Sequence, residues 1–332
     1  MNNIQDIMGK LSPTTRNRLT TALGKEAERQ PTPSIGLNLA LKGGLGFGRQ
    51  VLLWGNKSAG KSALLQTLVG QAQKQGRTCA WIDAENSWSD EWATRLGADG
   101  NELILSEARS VNAATEDIKE LMAAGTDIII VDSISALVPG AFFSDKGELK
   151  EVDDSKQIGS ASRDLGVAIK QWNLMNQNSL LILISQVRNS FGSMHASHIP
   201  DGGHAAKFFS STVIKLWSSE AEANAIKGSV ASGDRFYDEK IGRPVNWIVE
   251  YNKLGPQNRG GQYDFYYDGD FVGIDHVGEV LDYAEKYGIV EKGGAWYKVY
   301  GEPLQGRAKA VAYLRENAEI VEKLEGELLA KV

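Results

Sequence analysis

The sequence predicts an α/β fold: a mostly parallel sheet flanked by helices, with a helical arm at the N-terminus and a small α+β domain at the C-terminus. Three observations carry this expectation. From about residue 48 to 186, apolar runs of strand length alternate with amphipathic stretches of helix length, as in parallel strands joined by crossover helices. One run, DIIIVDS at 127–133, is nearly all apolar, as a strand covered on both faces must be. After residue 205 the chain changes to β-branched and aromatic runs at hairpin spacing.

The elements follow in order. Residues 12–30, SPTTRNRLTTALGKEAERQ, read as one helix with Ser12 as N-cap and Pro13 at the first helical position. Leu19, Leu23 and Ala27 make a face too narrow to fold alone. It packs either on a neighbouring subunit or on its own domain, and PTPS at 31–34 ends it. Strands are expected at 48–55, 78–85, 102–107, 127–133 and 179–186, with helices at 61–76, 90–97, 111–125 and about 157–178. KFFSSTVIKLW (207–217), PVNWIVEYNK (244–253) and GQYDFYYDGD (261–270) extend the sheet on one edge. Residues 270–332 are mostly helical, interrupted by a hairpin in GGAWYKVYGE (293–302). The resulting division is an arm at 1–33, a core at 34–269 and a C-terminal domain at 270–332.

Net charge is −6, which argues against indiscriminate binding to nucleic acid or anionic membrane but leaves room for a local cationic groove. No apolar run approaches the roughly 20 residues needed to span a bilayer, and the N-terminus lacks the basic start and apolar centre of a secretory signal. The one cysteine, Cys79, excludes an intramolecular disulfide; in the apolar run TCAWIDAE it reads as a buried thiol. A cytoplasmic protein with no membrane partner is expected.

Residues 55–62, GNKSAGKS, fit the phosphate-loop pattern G-x-x-x-x-G-K-[ST], between an apolar strand and an amphipathic helix. The stretch Gly55, Asn56, Lys57, Ser58, Ala59, Gly60, Lys61, Ser62 and Ala63 is the expected nucleoside triphosphate site. Its glycines let backbone N–H groups curl around phosphates at a helix N-terminus. Lys61 neutralises β/γ-phosphate charge and Ser62 ligates Mg²⁺. Asp132, ending DIIIVD, is the second Mg²⁺ residue. Glu85 lies on the same sheet edge, either to deprotonate an attacking water or to cap a helix. Gln186 ends SLLILISQ on that edge and is placed to sense the γ-phosphate.

Two polar, glycine-rich stretches leave this side of the sheet, VRNSFGSMHASHIPDGG after Gln186 and FFSDKGELKEVDDSKQIGSASR after the Asp132 strand. Long loops in a compact domain are usually functional. Apolar side chains beside cations suit insertion between the bases of a nucleic acid strand; two ordinary surface loops are the alternative. His195, His198 and His204 make only a weak metal pattern and read better as polar or solvent-facing groups. Lys292, Lys298, Arg307 and Lys309 form either a duplex-binding patch or a solvated face.

GNKSAGKS, CAWIDAEN, IIIVDSISALVP, LLILISQVR, GGHAAKFFSS, NKLGP and EKGGAWYKVYGEPLQGRAKA occur in that order. Together they resemble the bacterial RecA recombinase family from about residue 34 to the end, as a divergent or phage-encoded member in a bacterial or phage-infected cytoplasm. The resemblance implies a RecA-type P-loop ATPase core, ATP and Mg²⁺ as cofactors, and a helical filament of identical subunits on single-stranded DNA. It implies homologous pairing with double-stranded DNA, strand exchange and DNA-dependent ATP hydrolysis. Lys61, Ser62 and Asp132 match the triphosphate and Mg²⁺ positions, Glu85 the general base, Gln186 the γ-phosphate sensor, and Trp92 the residue stacked on adenine. The two DNA loops fall at about 142–160 and 187–203. Ile158, Gly159, Arg163 and Lys170 go with the first; Arg188, Asn189, Phe191, Gly192, Met194, Gly202 and Gly203 go with the second. Lys207 and Phe208 match an intersubunit contact.

The sequence departs from the family in four places. Of two lysines that reach a neighbour's γ-phosphate, the second is Lys253 but the first is Tyr251, which brings no positive charge. The first DNA loop is longer and acidic, with Glu148, Glu151, Asp153 and Asp154. The N-terminal arm is shorter. The sequence stops at LLAKV without the family's long acidic tail, which implies easier duplex capture. A ring-forming helicase and a non-enzymatic loader of another recombinase remain as alternatives.

Overall fold

The computed structural model describes residues 4–16, 28–142, 154–189, 198–200, 203–219, 221–232, 235–269 and 271–332. Among them eleven strands form one sheet. Its main strands are β1 (Arg49–Gly55), β2 (Cys79–Asp83), β3 (Leu103–Ser106), β4 (Ile128–Asp132), β5 (Leu180–Asn189), β6 (Thr212–Trp217), β7 (Arg235–Asn252), β8 (Arg259–Tyr266) and β9 (Gly273–Ile274). They lie in the order β9-β8-β7-β6-β1-β5-β4-β2-β3. Pairing is parallel from β6 to β3 and antiparallel from β6 out to β9. This is the mostly parallel sheet, extended on one edge, that the sequence predicts.

The principal helices are α1 (Ile35–Leu41), α2 (Lys61–Lys74), α3 (Asp90–Arg95), α4 (Val111–Ala124), α5 (Asp154–Met175), α6 (Gly203–Phe209), α7 (His276–Lys286), α8 (Arg307–Glu316) and α9 (Ala318–Leu329). Along β1 the side chains alternate between two cores. Val51 and Leu53 join Leu64, Leu65 and Leu68 of α2, while Leu52 and Trp54 join Ile118 of α4 and Ile169 and Trp172 of α5. Each such side chain contributes roughly 1.5–3 kcal/mol on burial, so the sheet is a rigid floor for the loops at its ends. Cys79 is buried as expected, and burial pushes its thiol up to about 12.

At the C-terminus α7, α8 and α9 pack with a three-stranded antiparallel sheet, Glu291–Gly293, Trp296–Val299 and Glu302–Gln305, where the sequence suggested a two-stranded hairpin. Helix α1 serves two cores: Leu37, Ala40 and Leu41 face the large sheet, Ile35 and Leu39 the C-terminal helices. Glu279 of α7 ties the junction, accepting from Ser34 Oγ at 2.7 Å and from the backbone N–H of Ile35 and Gly36.

Four expectations on element bounds are corrected. The helix expected over 12–30 is present at Pro13–Arg16, with Ser12 Oγ accepting from the Thr15 N–H as its cap. Residues 17–27 lie outside the described residues, and Arg29–Gln30 is a strand paired with Leu45–Gly46. Tertiary bonds override the local helical pattern there: the Arg29 guanidinium donates to the carbonyls of Leu41 and Leu254. Residues 207–209 end α6 and are not strand; Ser210 Oγ turns back onto the Ala206 carbonyl and β6 starts at Thr212. β7 is far longer than 244–253, because its first half pairs with Ile226–Ser232 in a ribbon too polar to show clear alternation. Both proposed DNA loops are shorter than 142–160 and 187–203: α5 already begins at Asp154, and Val187–Asn189 continues β5 in a ladder with His198–Pro200.

Candidate nucleotide and DNA-binding site

Strand β1 ends in Gly55, where a Cβ would lie 1.9 Å from the Leu216 carbonyl oxygen, so only glycine lets the chain turn there. Helix α2 then starts at Gly60 without a side-chain cap. Two other connecting helices differ: Ser89 caps α3 and Ser110 caps α4. The first N–H groups of α2 are thus left for a ligand, in a loop shaped to wrap an anion.

Lys61 is buried and donates to the carbonyls of Gly55 (3.1 Å) and Asn56 (2.8 Å). Burial lowers its pKa, against the charges of Asp132 and Glu85. Ser62 Oγ donates to Asp132 Oδ2 at 2.7 Å, so the two residues expected to hold Mg²⁺ are adjacent. Burial, with Glu85 and Asp83 nearby, pushes Asp132 up to about 6, against the Ser62 bond and Lys61. A hydroxyl and a carboxylate beside a lysine and a free helix N-terminus fit a Mg²⁺–triphosphate.

Glu85 accepts from Ser133 Oγ and, at 2.8 Å, from Gln186 Nε2. It caps nothing. Asp83 holds the turn by accepting from the N–H groups of Ser87 and Trp88, and Ser89 caps α3. The capping alternative for Glu85 is thereby removed. A cavity of about 460 Å³ brings together Lys61, Ser62, Asp132, Glu85, Gln186 and Trp92, all proposed from sequence. Trp88, Tyr267 and Arg243, which also line it, were not. Trp88 and Tyr267 belong to aromatic-rich segments whose pattern does not say which ring faces the site. Arg243 is placed only by the antiparallel register of β7 against β8.

Of the expected DNA contacts, Arg163 and Lys170 are exposed on α5, seven residues apart on one face. Ile158 and Gly159 lie on the same helix. Arg188 and Asn189 continue the strand that carries Gln186, opposite Ile199 and His198, and Gly203 begins α6. Phe191, Gly192, Met194, His195 and Gly202 fall outside the described residues, as do Glu148, Glu151 and Asp153. No cluster of three metal-ligating side chains occurs among the described residues.

The residues expected at a subunit interface form a separate group. Phe208 is 76% exposed and Tyr251 39%. Lys207 Nζ donates to Glu250 at 2.8 Å and lies over the Trp54 ring. With Lys253 they line a cavity of about 940 Å³ that shares no lining residue with the nucleotide cavity. Lys253 N–H bonds to Ser211, and Asn252 is opposite Thr212, which pairs with Val51. At the rise of a strand this places Lys253 roughly 13 Å or more from Gly55, at the opposite end of β1.

The C-terminal cations are mostly paired. Arg307 binds both oxygens of Asp282 at 2.8–2.9 Å, Lys292 pairs with Glu285 and Lys298 with Glu291. Lys309 makes no ion pair among the described residues.

Family comparison agrees with this geometry. A model of the RecA N-terminal domain matches residues 1–269 and a model of the RecA C-terminal domain matches residues 278–332. The chain belongs to the RecA family. It is 34% identical over 317 residues to Protein RecA of Teredinibacter turnerae, covering 93% of this chain and 86% of the relative. It is 34% identical over 307 residues to Protein RecA of Marinobacter nauticus, with 91% and 82% covered. Protein RecA of Pseudomonas savastanoi pv. phaseolicola gives the same identity over 307 residues. As a RecA family member the protein is an ATP-dependent homologous recombinase and DNA-dependent ATPase. It uses ATP with Mg²⁺, binds single- and double-stranded DNA and forms helical filaments. The match through the C-terminal segment sets aside the ring helicase, and the family's ATPase activity, with Lys61, Glu85 and Asp132 all present, sets aside the non-enzymatic loader. Among the described residues no helix is long and apolar enough to cross a membrane.

Proposed function

We propose that each ATP site of the filament is shared between two protomers, with the phosphate loop from one and Lys253 from the next. The observation that carries this is the position of Lys253 at the far end of β1 from its own Gly55, in a cavity beside exposed Phe208 and Tyr251. A cation so placed cannot reach its own phosphates but is presented outward to a neighbour's.

Within one protomer, residues 55–63 hold the triphosphate, Trp92 stacks on the base, and Lys61 swings from the Gly55 and Asn56 carbonyls to the β/γ-phosphates. Ser62 and Asp132 hold Mg²⁺, which when bound neutralises charge on the phosphate oxygens. Glu85 takes a proton from the attacking water as its oxygen bonds to the γ-phosphorus and the bond to the ADP oxygen breaks. Gln186 exchanges Glu85 for the γ-phosphate. Because β5 runs on through Arg188 and Asn189, that exchange is felt in the second DNA loop. The second loop, with Phe191, Gly192, Met194, Gly202 and Gly203, and the first, with Ile158, Gly159, Arg163 and Lys170, hold the DNA strand. The arm at 1–33 packs on the neighbour. Residues 270–332 contact the duplex, with Lys309 a better candidate than the three paired cations. The setting is a bacterial or phage-infected cytoplasm.

The test is ATP turnover against protomer concentration, with and without single-stranded DNA. Turnover per protomer should be low in dilute protein alone and rise as filaments form. Dilute, DNA-free protomers hydrolysing at the full rate would refute the shared site.

A further inference from the structure

Arg243 lies midway along β7, opposite Phe265 of β8, while Lys253 comes just past the strand's C-terminal end, at the opposite end of β1 from the protomer's own phosphate loop. Arg243 shares a pleat face with Val245, two residues on, and a Cβ on Gly60 would lie 3.8 Å from Val245 Cγ2. This register directs Arg243 at the phosphate loop. One terminal guanidinium nitrogen donates to the Ser58 carbonyl oxygen. The Nε–H is buried and has no acceptor. No carboxylate pairs with this guanidinium among the described residues, unlike Arg77, Arg307 and Arg315. The side chain lines the same cavity as Lys61, Ser62 and Glu85.

A guanidinium with five donors, one anchor and a buried N–H without an acceptor is built to meet an anion. We infer that Arg243 is a phosphate-binding residue of its own protomer's nucleotide site, donating to the phosphate oxygens of the bound nucleoside di- or triphosphate while the Ser58 carbonyl aims it. The inference rests on the cavity being the ATP site, as proposed above. Arg243 then adds a positive charge from within the protomer, independent of filament assembly, and Lys253 adds one only when a neighbour docks. The competing role is a brace that merely holds the loop through Ser58.

Titration calorimetry on the full chain separates the two roles, using Mg²⁺ with ATP and with ADP, and adenosine as the phosphate-free probe. Arg243→Gln keeps a donor for the Ser58 carbonyl but removes the charge. It should weaken ATP and ADP by roughly 10- to 100-fold, the worth of one charge-assisted hydrogen bond, and leave adenosine unchanged. Arg243→Lys should recover part of the loss. Equal loss for ATP and adenosine, or no loss at all, overturns the inference in favour of a brace. Phenylglyoxal labelling of the unmodified protein with peptide mapping needs no variant to fold: Arg243 should be protected by ATP and ADP but not by adenosine, and protection that ignores phosphates overturns it as well. Lys61→Ala serves as the reference. If it too leaves ATP affinity unchanged, the cavity is not the ATP site and both readings fall; a Lys61 effect without an Arg243 effect removes only the arginine.

Discussion

Gln186 donates its side-chain amide to Oε1 of Glu85 at 2.8 Å, although β4 lies between β5, which carries Gln186, and β2, which Glu85 follows. The proposed sensor and the proposed base therefore hold each other until a γ-phosphate competes for the amide. On that proposal catalysis and DNA coupling share one hydrogen bond, and mutation should separate them.

Glu85→Gln removes the proton acceptor but keeps the shape and one acceptor oxygen for Gln186. ATP hydrolysis should fall about 100- to 10,000-fold, the usual worth of a general base. Filaments on single-stranded DNA should still form with ATP, seen by electron microscopy. A variant that binds ATP but makes no filaments would show that hydrolysis, not binding, drives assembly.

Gln186→Asn keeps an amide but draws it back by one methylene. Slow hydrolysis without DNA should persist, while its stimulation by single-stranded DNA is lost. Steady-state assays with and without DNA check this, and stimulation that survives would place the coupling somewhere other than β5.

The legible and illegible parts of this site differ for a physical reason. Asp132 ends an apolar parallel strand, Gln186 ends the parallel pairing of another with β1, and Glu85 follows a third closely, so the ends of the hydrophobic runs placed all three on one edge. Arg243 and Tyr267 depend on β7 and β8, whose hairpin spacing is legible but whose register and full length no local run encodes. The Asp83 carboxylate, which shapes the turn before Trp88, looked like any polar residue at a strand end. Arg29–Gln30 escaped because its strand partner and the carbonyls that hold Arg29 are supplied by distant segments.

Tyr251 stands exposed beside Lys253 on the face proposed to meet the neighbour's phosphates. A phenol donates a hydrogen bond but does not offset developing negative charge. Tyr251→Lys should raise DNA-stimulated turnover severalfold and leave DNA-free turnover of dilute protein as it was. Turnover that does not change with DNA present would mean that position 251 does not face the site.

Glu279 makes folding itself sensitive to pH. It is 5% exposed, between the α1 N-terminus and α7. Burial pushes its carboxyl up to about 7 from 4.5, against the bonds from Ser34, Gly36 and Ile35 and the His276 charge. The folded state thus holds a proton that the unfolded chain has released between those two values. The stability from this group is greatest below about 4.5 and is lost as pH rises through about 7. His276 acts in the same direction: burial alone would lower its pKa, but the Glu325 bond raises it, so its contribution also fades as pH rises through the folded value. Glu279→Gln carries no titrating proton. It gives up one acceptor oxygen facing the Ser34, Ile35 and Gly36 donors, which sets a constant offset in stability. Its melting temperature relative to the parent should nevertheless climb steadily from pH 5 to pH 8, by the equivalent of roughly 2–3 kcal/mol. Paired melts across that range decide it: a difference that stays flat with pH would mean that Glu279 is ionised in the folded protein throughout, held so by its three donors.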